Sequence, residues 1–153
     1  MNYRIVPIPS EIAESVRQNL KSPQYGHPAF TEIAKGYGPC RLCLKTFNEG
    51  AEERILFTYN AFEGLSDLPL PGPVFIHKDK CEPFDEAEFP PDLLRLPLLF
   101  EGYGLESKLV RSEKMAGENL KNQIKEILIS DEVEYINIRN AEAGCFVARI
   151  ERA

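Results

Sequence analysis

The chain has 153 residues, of which 43% are apolar and 27% are charged, and its formal net charge is -6. This length and balance predict a single folded domain over residues 1–153 that buries a core without disulfide bridges. A negative net charge without clustered Lys and Arg argues against binding to nucleic acid or to an anionic membrane.

The sequence also indicates a cellular compartment. Its longest apolar stretches, such as Leu96–Phe100, are far shorter than the roughly 20 residues that a membrane-spanning helix needs. The first residues lack a basic segment followed by an apolar one, so we expect no secretory signal. Four cysteines in such a chain are typical of reduced thiols, and we therefore expect a cytoplasmic protein.

The first half of the chain predicts strands and one helix. Ile12, Val16 and Leu20 recur at helical spacing behind a suitable N-cap residue. Residues 23–39 are rich in Gly and Pro, and residues 79–92 are acidic, so both are expected to be loops. The expected strands cover residues 3–8, 40–47, 54–60 and 74–77.

The second half predicts another helix between two hairpins. The apolar face of the helix consists of Ala116, Leu120, Ile124, Ile127 and Leu128. One expected hairpin pairs residues 98–103 with 108–111, and the other pairs 133–140 with 145–151. Two principal helices and strands linked mostly by hairpins indicate an α+β fold with a largely antiparallel sheet.

Cys40 and Cys43 form a Cys-x-x-Cys pair, and His77 and Cys81 add a His-x-x-x-Cys pair downstream. Thiolates and imidazoles are the ligands that zinc prefers in a tetrahedral site, so the four residues could form a structural zinc module. Three observations count against it. The His-x-x-x-Cys pair is less specific for zinc than a second Cys-x-x-Cys pair would be. Leu44 stands where a tight zinc turn usually has glycine, and a domain of this size needs no metal to fold.

The cysteines allow two further interpretations. A redox-active pair would need Cys40 at the start of a helix, but the residues after it predict a strand. A nucleophilic thiol could instead be Cys40 or Cys145, with His77 as the base. The other histidine, His27, lies in the loop rich in Gly and Pro, which leaves His77 as the candidate for proton transfer.

The closing hairpin has a polar face. Because side chains alternate along a strand, its apolar side is expected to hold Ile136, Ile138, Phe146, Ala148 and Ile150. The opposite side would gather Asn137, Arg139, Cys145 and Arg149. Two guanidinium groups and an amide can bind a carboxylate or a phosphate, although exposed antiparallel faces are routinely charged without any ligand.

Three stretches, Gly38–Cys43, Gly72–His77 and Asn140–Arg152, resemble the small bacterial proteins known as domain of unknown function 1203. The resemblance covers almost the whole chain. The family pattern falls on Pro39, Cys40, Arg41, Gly72, Pro73, Phe75, Asn140, Ala141, Gly144, Cys145 and Arg149. The resemblance implies no established activity, substrate or cofactor, and Cys43 is not a fixed element of the pattern.

We therefore predict a small bacterial, cytoplasmic protein that binds an anionic or polar small molecule, with enzymatic activity, cofactor and oligomeric state left open. The catalytic candidates are Cys40, His77 and Cys145. The residues expected to hold the ligand are Arg41, Asn137, Arg139 and Arg149. The alternatives are a structural zinc module on Cys40, Cys43, His77 and Cys81, or a non-catalytic interaction domain that uses the Pro-rich stretch Leu68–Pro73.

Overall fold

The computed structural model of the protein describes residues 2–36, 38–62, 64–65 and 69–153. Its elements follow the chain in the order β1 Tyr3–Val6, α1 Ser10–Asn19, β2 Phe30–Ile33, β3 Glu53–Tyr59, β4 Gly72–His77, β5 Leu98–Tyr103, β6 Leu109–Met115, α2 Leu120–Ile129, β7 Tyr135–Asn140 and β8 Phe146–Arg152. Short 3-10 turns cover Pro91–Arg95 and Leu105–Ser107. Two α-helices and antiparallel strands in the described residues confirm the predicted α+β fold.

The larger sheet has five antiparallel strands in the order β1-β8-β7-β5-β6. Its two predicted hairpins are confirmed, β5 with β6 and β7 with β8. Helix α2 packs on this sheet through four buried residues, Leu120, Ile124, Ile127 and Leu128. The core between this helix and the larger sheet is the first of two. Ala116 lies outside α2, contrary to its predicted place in the helical stripe, because Gly117 has a left-handed φ of 89° and the helix begins only after it.

The smaller sheet has three antiparallel strands in the order β2-β3-β4. Ile55 and Ile76 face each other across β3 and β4, and both are buried. They belong to a second core together with Val16 of α1, and Ile12 packs against it as the predicted stripe requires. Leu20, predicted on the same stripe, is exposed because the helix ends before it and its φ is 51°. Val74 of β4 faces the same core as Ile76.

Two predictions along this part of the chain are wrong. The presumed loop over residues 23–39 contains β2, whose side chains are mostly exposed and so leave no apolar periodicity in the sequence. Residues 40–47 do not form a strand but a turn, and β3 pairs instead with β2 and β4. The predicted loop over residues 79–92 is irregular and mostly exposed, as expected, although it buries Phe89 against the first core and ends in the 3-10 turn Pro91–Arg95.

A β-bulge links the two cores. The β7–β8 register shifts between Ile138 and Arg139, so that Ile138 pairs with Ala148 while Arg139 pairs with Phe146. Val147 is the extra residue, and it turns Phe146 toward the second core while Ala148 stays in the first. The prediction that Phe146 and Ala148 share one face is therefore wrong, since strict alternation ends at a bulge.

Candidate metal centre

The Cys-x-x-Cys segment folds as a tight turn at the edge of the second core. Pro39 and Thr46 pair as an isolated antiparallel bridge across it. Within the turn, Cys40 N–H donates to the Lys45 carbonyl at 2.9 Å, and Leu44 N–H donates to the Cys40 carbonyl at 2.9 Å. These bonds hold Cys40 and Cys43 on one side of the turn, and both thiols are buried.

Leu44 adopts the backbone conformation that a glycine would otherwise supply. Its φ is 59°, in the left-handed region that residues other than Gly, Asn and Asp rarely enter. Its side chain is fully buried in the first core, so its apolar contacts offset the backbone strain. The missing glycine therefore does not prevent a tight cysteine turn in this chain.

Replacing Leu44 with glycine is expected to lower stability less than replacing it with alanine. Both variants lose the buried side chain at a cost of about 2–5 kcal/mol. Only alanine keeps the left-handed strain, worth about 1 kcal/mol. Denaturant unfolding measures the difference. At Leu93, which is equally buried in a right-handed 3-10 turn, the alanine variant should be the more stable one. The same order at both positions would contradict the strain argument.

His77 ends β4 and lies against the cysteine turn. Its backbone N–H donates to Cys40 Sγ at 3.4 Å. Its ring Nδ1 is 3.5 Å from Cys43 Sγ, and its ring Nε2 is 3.2 Å from a carboxylate oxygen of Glu52. The ring thus presents Nδ1 to the thiols, while Glu52 accepts a hydrogen bond from the opposite nitrogen.

Cys81 completes the group from the segment that follows β4. Its Sγ is 3.8 Å from Cys40 Sγ. Arg17 of α1 donates from Nη2 to Cys81 Sγ at 3.4 Å and from Nε to the His77 carbonyl at 3.0 Å. The segment is tied to the turn because Phe84 N–H donates to the Leu42 carbonyl at 2.9 Å.

The structure thus brings the predicted zinc set together. One ligand atom from each of Cys40, Cys43, His77 and Cys81 lies within 4.8 Å of every other. Hydrogen bonds with Cys43 and then Cys81 hold the pKa of the Cys40 thiol well below its ordinary value, although burial opposes them. Hydrogen bonding with Cys40 and then Cys81 raises the pKa of His77 to about 10. The hydrogen bond with Cys40 raises the pKa of the Cys43 thiol, so Cys43 and His77 would release protons when a metal binds.

Arg41 anchors the turn to the rest of the fold. Its Nε donates to the Phe146 carbonyl of β8 at 2.5 Å, and its Nη1 donates to the Pro39 carbonyl at 2.6 Å. Burial lowers the pKa of the guanidinium to about 10, so it stays charged at neutral pH. The side chain predicted to hold an anion is instead buried and bonded to two backbone carbonyls.

The other predicted ligand-holding residues lie on the polar face of the larger sheet. Arg139 donates from Nη1 to Glu101 at 2.9 Å and from Nε to the Gly144 carbonyl at 2.9 Å. Arg149 donates to Asn137 at 3.2 Å and lies over the Tyr135 ring. The alternation of side chains along β7 and β8 places Asn137, Arg139 and Arg149 on one face, as predicted. Both arginines already donate hydrogen bonds to groups within the fold.

Cys145 is separated from the group formed by Cys40, Cys43, His77 and Cys81, which we call the thiol cluster. It lines a cavity of about 880 Å³ together with Glu101, Arg139 and Gly72, whereas Cys43, His77 and Cys81 line another cavity. The predicted catalytic residues are therefore divided, since Cys40 contacts His77 and Cys145 does not lie with them. The predicted interaction stretch borders the same cavity as Cys145 through Pro69–Pro73, while Leu68 lies outside the described residues.

A protein-family model described as "Protein of unknown function (DUF1203)" matches residues 37–152. The chain belongs to the DUF1203 family. This result confirms the resemblance that the sequence motifs indicate. Searches among curated proteins and among solved structures found no match. In the described part of the chain, no helix of this DUF1203 protein has the length and apolar character needed to cross a bilayer.

Sequence reasoning missed two residues that contact the cluster. Glu52 lies in the connection before β3, where its sequence neighbours Glu49 and Glu53 make it look like one of several exposed acids. Arg17 precedes the matched region and follows the buried Val16 on α1. The position of Arg17 beside the apolar stripe of α1 is the one signal that its side chain packs inward. Nothing in the sequence spacing identifies Cys81 as its partner.

Proposed function

We propose that this DUF1203 protein binds one zinc ion through Cys40, Cys43, His77 and Cys81. The observation that carries the proposal is the convergence of three sulfur atoms and one imidazole nitrogen within 4.8 Å, from three segments of the chain. Thiolate and imidazole ligands favour zinc over hard cations such as magnesium and calcium.

The distances suit a tetrahedral ion. Zn–S bonds of about 2.3 Å and Zn–N bonds of about 2.0 Å imply edges of about 3.8 Å between two sulfurs and about 3.5 Å between sulfur and nitrogen. The separation of Cys40 Sγ from Cys81 Sγ is 3.8 Å, and that of Cys43 Sγ from His77 Nδ1 is 3.5 Å. These two separations match a tetrahedral site, and the other pairs, all within 4.8 Å, would move closer when the ion binds.

Arg17 offsets the negative charge that the zinc site would have. A zinc ion with three thiolates and a neutral imidazole has a net charge of -1. Arg17 supplies a positive charge at Cys81 Sγ, and its side chain is 10% exposed, which keeps the interaction away from bulk water. Glu52 would fix the imidazole tautomer that offers Nδ1 to the metal.

A complete set of four protein ligands leaves no open position for a substrate, which supports a structural role over a catalytic one. The ion would join the cysteine turn, the end of β4 and the segment that carries Cys81. Arg17 would extend this connection to α1. The metal would thereby stabilise one end of the second core.

Elemental analysis of protein purified under reducing conditions tests the proposal. We expect one zinc per chain, retained through gel filtration and removed by a strong chelator. The Cys145→Ala variant should keep this stoichiometry, because Cys145 lies outside the cluster. Purified protein that contains no zinc, and that takes up none from a zinc buffer, would refute the proposed function.

The Glu52→Gln substitution is expected to weaken zinc binding by about 10- to 100-fold, the usual effect of losing a carboxylate that orients a histidine ligand. The contact involved is the one between Glu52 and His77 Nε2 at 3.2 Å. Competition with a chromophoric chelator measures the affinity. Glu53→Gln is the matched control, because the carboxylate of Glu53 is next in sequence but accepts a hydrogen bond from Lys78 and not from His77. Equal affinities for the two variants would show that Glu52 does not support the metal site.

A further inference from the structure

The thiol cluster is buried on one side and open on the other. Cys40 and Cys43 are packed into the second core, whereas His77 and Cys81 are only partly buried. On the open side lies a cleft of about 970 Å³, and Cys43, His77 and Cys81 form part of its wall. A metal ion would therefore reach the cluster through this cleft.

The cleft is strongly acidic. Seven carboxylates and two lysines line it, whereas the whole chain has 24 acidic and 18 basic residues. Three of the carboxylates have partners: Glu52 contacts His77, Glu53 contacts Lys78, and Asp92 accepts hydrogen bonds from Thr46. The other four are exposed and have no hydrogen bond or ion pair to another described residue: Asp79, Glu82, Asp85 and Glu86.

These four carboxylates are poor candidates for a site of their own, because exposed oxygen ligands compete weakly with thiolates for zinc. Their charge nevertheless acts on any cation that approaches. Clefts lined by one sign of charge concentrate oppositely charged ligands and raise their association rates by about 10- to 1,000-fold. The single cation that contacts the cluster, among the described residues, is Arg17, which approaches from α1.

We propose that the acidic cleft is an uptake route that steers divalent cations to the thiol cluster, so that the ion exchanges with solvent through the His77 and Cys81 side. This inference rests on the proposed zinc site and adds a path and a rate to it. The class of ligand is a hydrated divalent cation with affinity for sulfur. The protein would accordingly act as an acceptor that loads quickly from dilute metal.

Stopped-flow mixing of the reduced, metal-free protein with Co²⁺ tests the route, because thiolate-to-cobalt charge-transfer absorption reports binding directly. The test variant carries D79N, E82Q, D85N and E86Q. The control variant carries E118Q, E126Q, D131N and E132Q, which removes the same charge from exposed positions outside the cleft. All three proteins should bind the same amount of cobalt at equilibrium.

We expect the cleft variant to bind cobalt about tenfold more slowly at low ionic strength, and the control variant to bind at nearly the wild-type rate. Added salt should slow the wild type toward the rate of the cleft variant. Equal rates for all three proteins, or equal slowing in both variants, would overturn the uptake route while leaving the zinc site intact. Failure of the unaltered protein to bind cobalt or zinc would instead remove both proposals.

Discussion

Replacing Cys40 with alanine is expected to abolish stoichiometric zinc binding and to lower the midpoint of thermal unfolding by about 10 °C. Cys40 is fully buried, and its sulfur contacts both Cys81 and the backbone N–H of His77, so no other side chain can take its place. A ligand present at 1,000 times its dissociation constant stabilises the folded state by about 4 kcal/mol. For a domain of this size, each kcal/mol corresponds to about 2–4 °C.

Differential scanning calorimetry with and without a chelator separates the loss of metal from the loss of packing. The chelator should lower the unfolding temperature of the wild type and of Cys145→Ala but leave Cys40→Ala unchanged. Cys145→Ala controls for the loss of a thiol outside the cluster. If the chelator had no effect on the wild type, or if Cys40→Ala retained zinc, the cluster would not be the metal site.

Replacing Arg41 with methionine is expected to lower the free energy of unfolding by about 2–4 kcal/mol, because a buried acceptor left without its donor costs about 1–3 kcal/mol. The lost bonds run to the Phe146 and Pro39 carbonyls. Methionine keeps much of the volume of the side chain, so the loss reports mainly the hydrogen bonds. Lysine should be destabilising as well, since it cannot reproduce the two-pronged geometry of the guanidinium. Denaturant unfolding of the zinc-loaded proteins provides the measurement.

Arg95→Met is the matched control for this experiment, since Arg95 is exposed at the end of a 3-10 turn. We expect it to change stability by less than about 0.5 kcal/mol. Arg41→Met should also bind zinc more weakly, because the freed turn carries Cys40. A variant as stable as the wild type would show that the two carbonyls find other donors and that Arg41 does not anchor the turn.

The sequence predicts the architecture well where one face of an element is buried. Helix α2 and strands β5, β7 and β8 carry periodic apolar residues, and the structure contains all of them. Strand β2 has no such pattern, because it lies at a sheet edge and its backbone pairing with β3 does not depend on apolar side chains. The bulge at Val147 is equally hidden, since it shifts the register without changing the kind of residues involved.

The candidate metal centre shows a different limit. The spacing of Cys40, Cys43, His77 and Cys81 predicts the four residues that the fold brings together, but sequence rules favour a strand for residues 40–47 and a glycine after the second cysteine. Tertiary packing overrides both rules, because burial of Leu44 offsets its left-handed backbone. Arg17 and Glu52 reach the cluster only after the chain has folded, and their long-range contacts leave no local signature.

X-ray absorption at the zinc edge of the purified protein is the most direct measurement of the proposed metal centre. The proposal predicts three sulfur neighbours at about 2.3 Å and one nitrogen neighbour at about 2.0 Å. A first shell made only of nitrogen and oxygen atoms would place the ion elsewhere on the protein and contradict the assignment of Cys40, Cys43, His77 and Cys81 as its ligands.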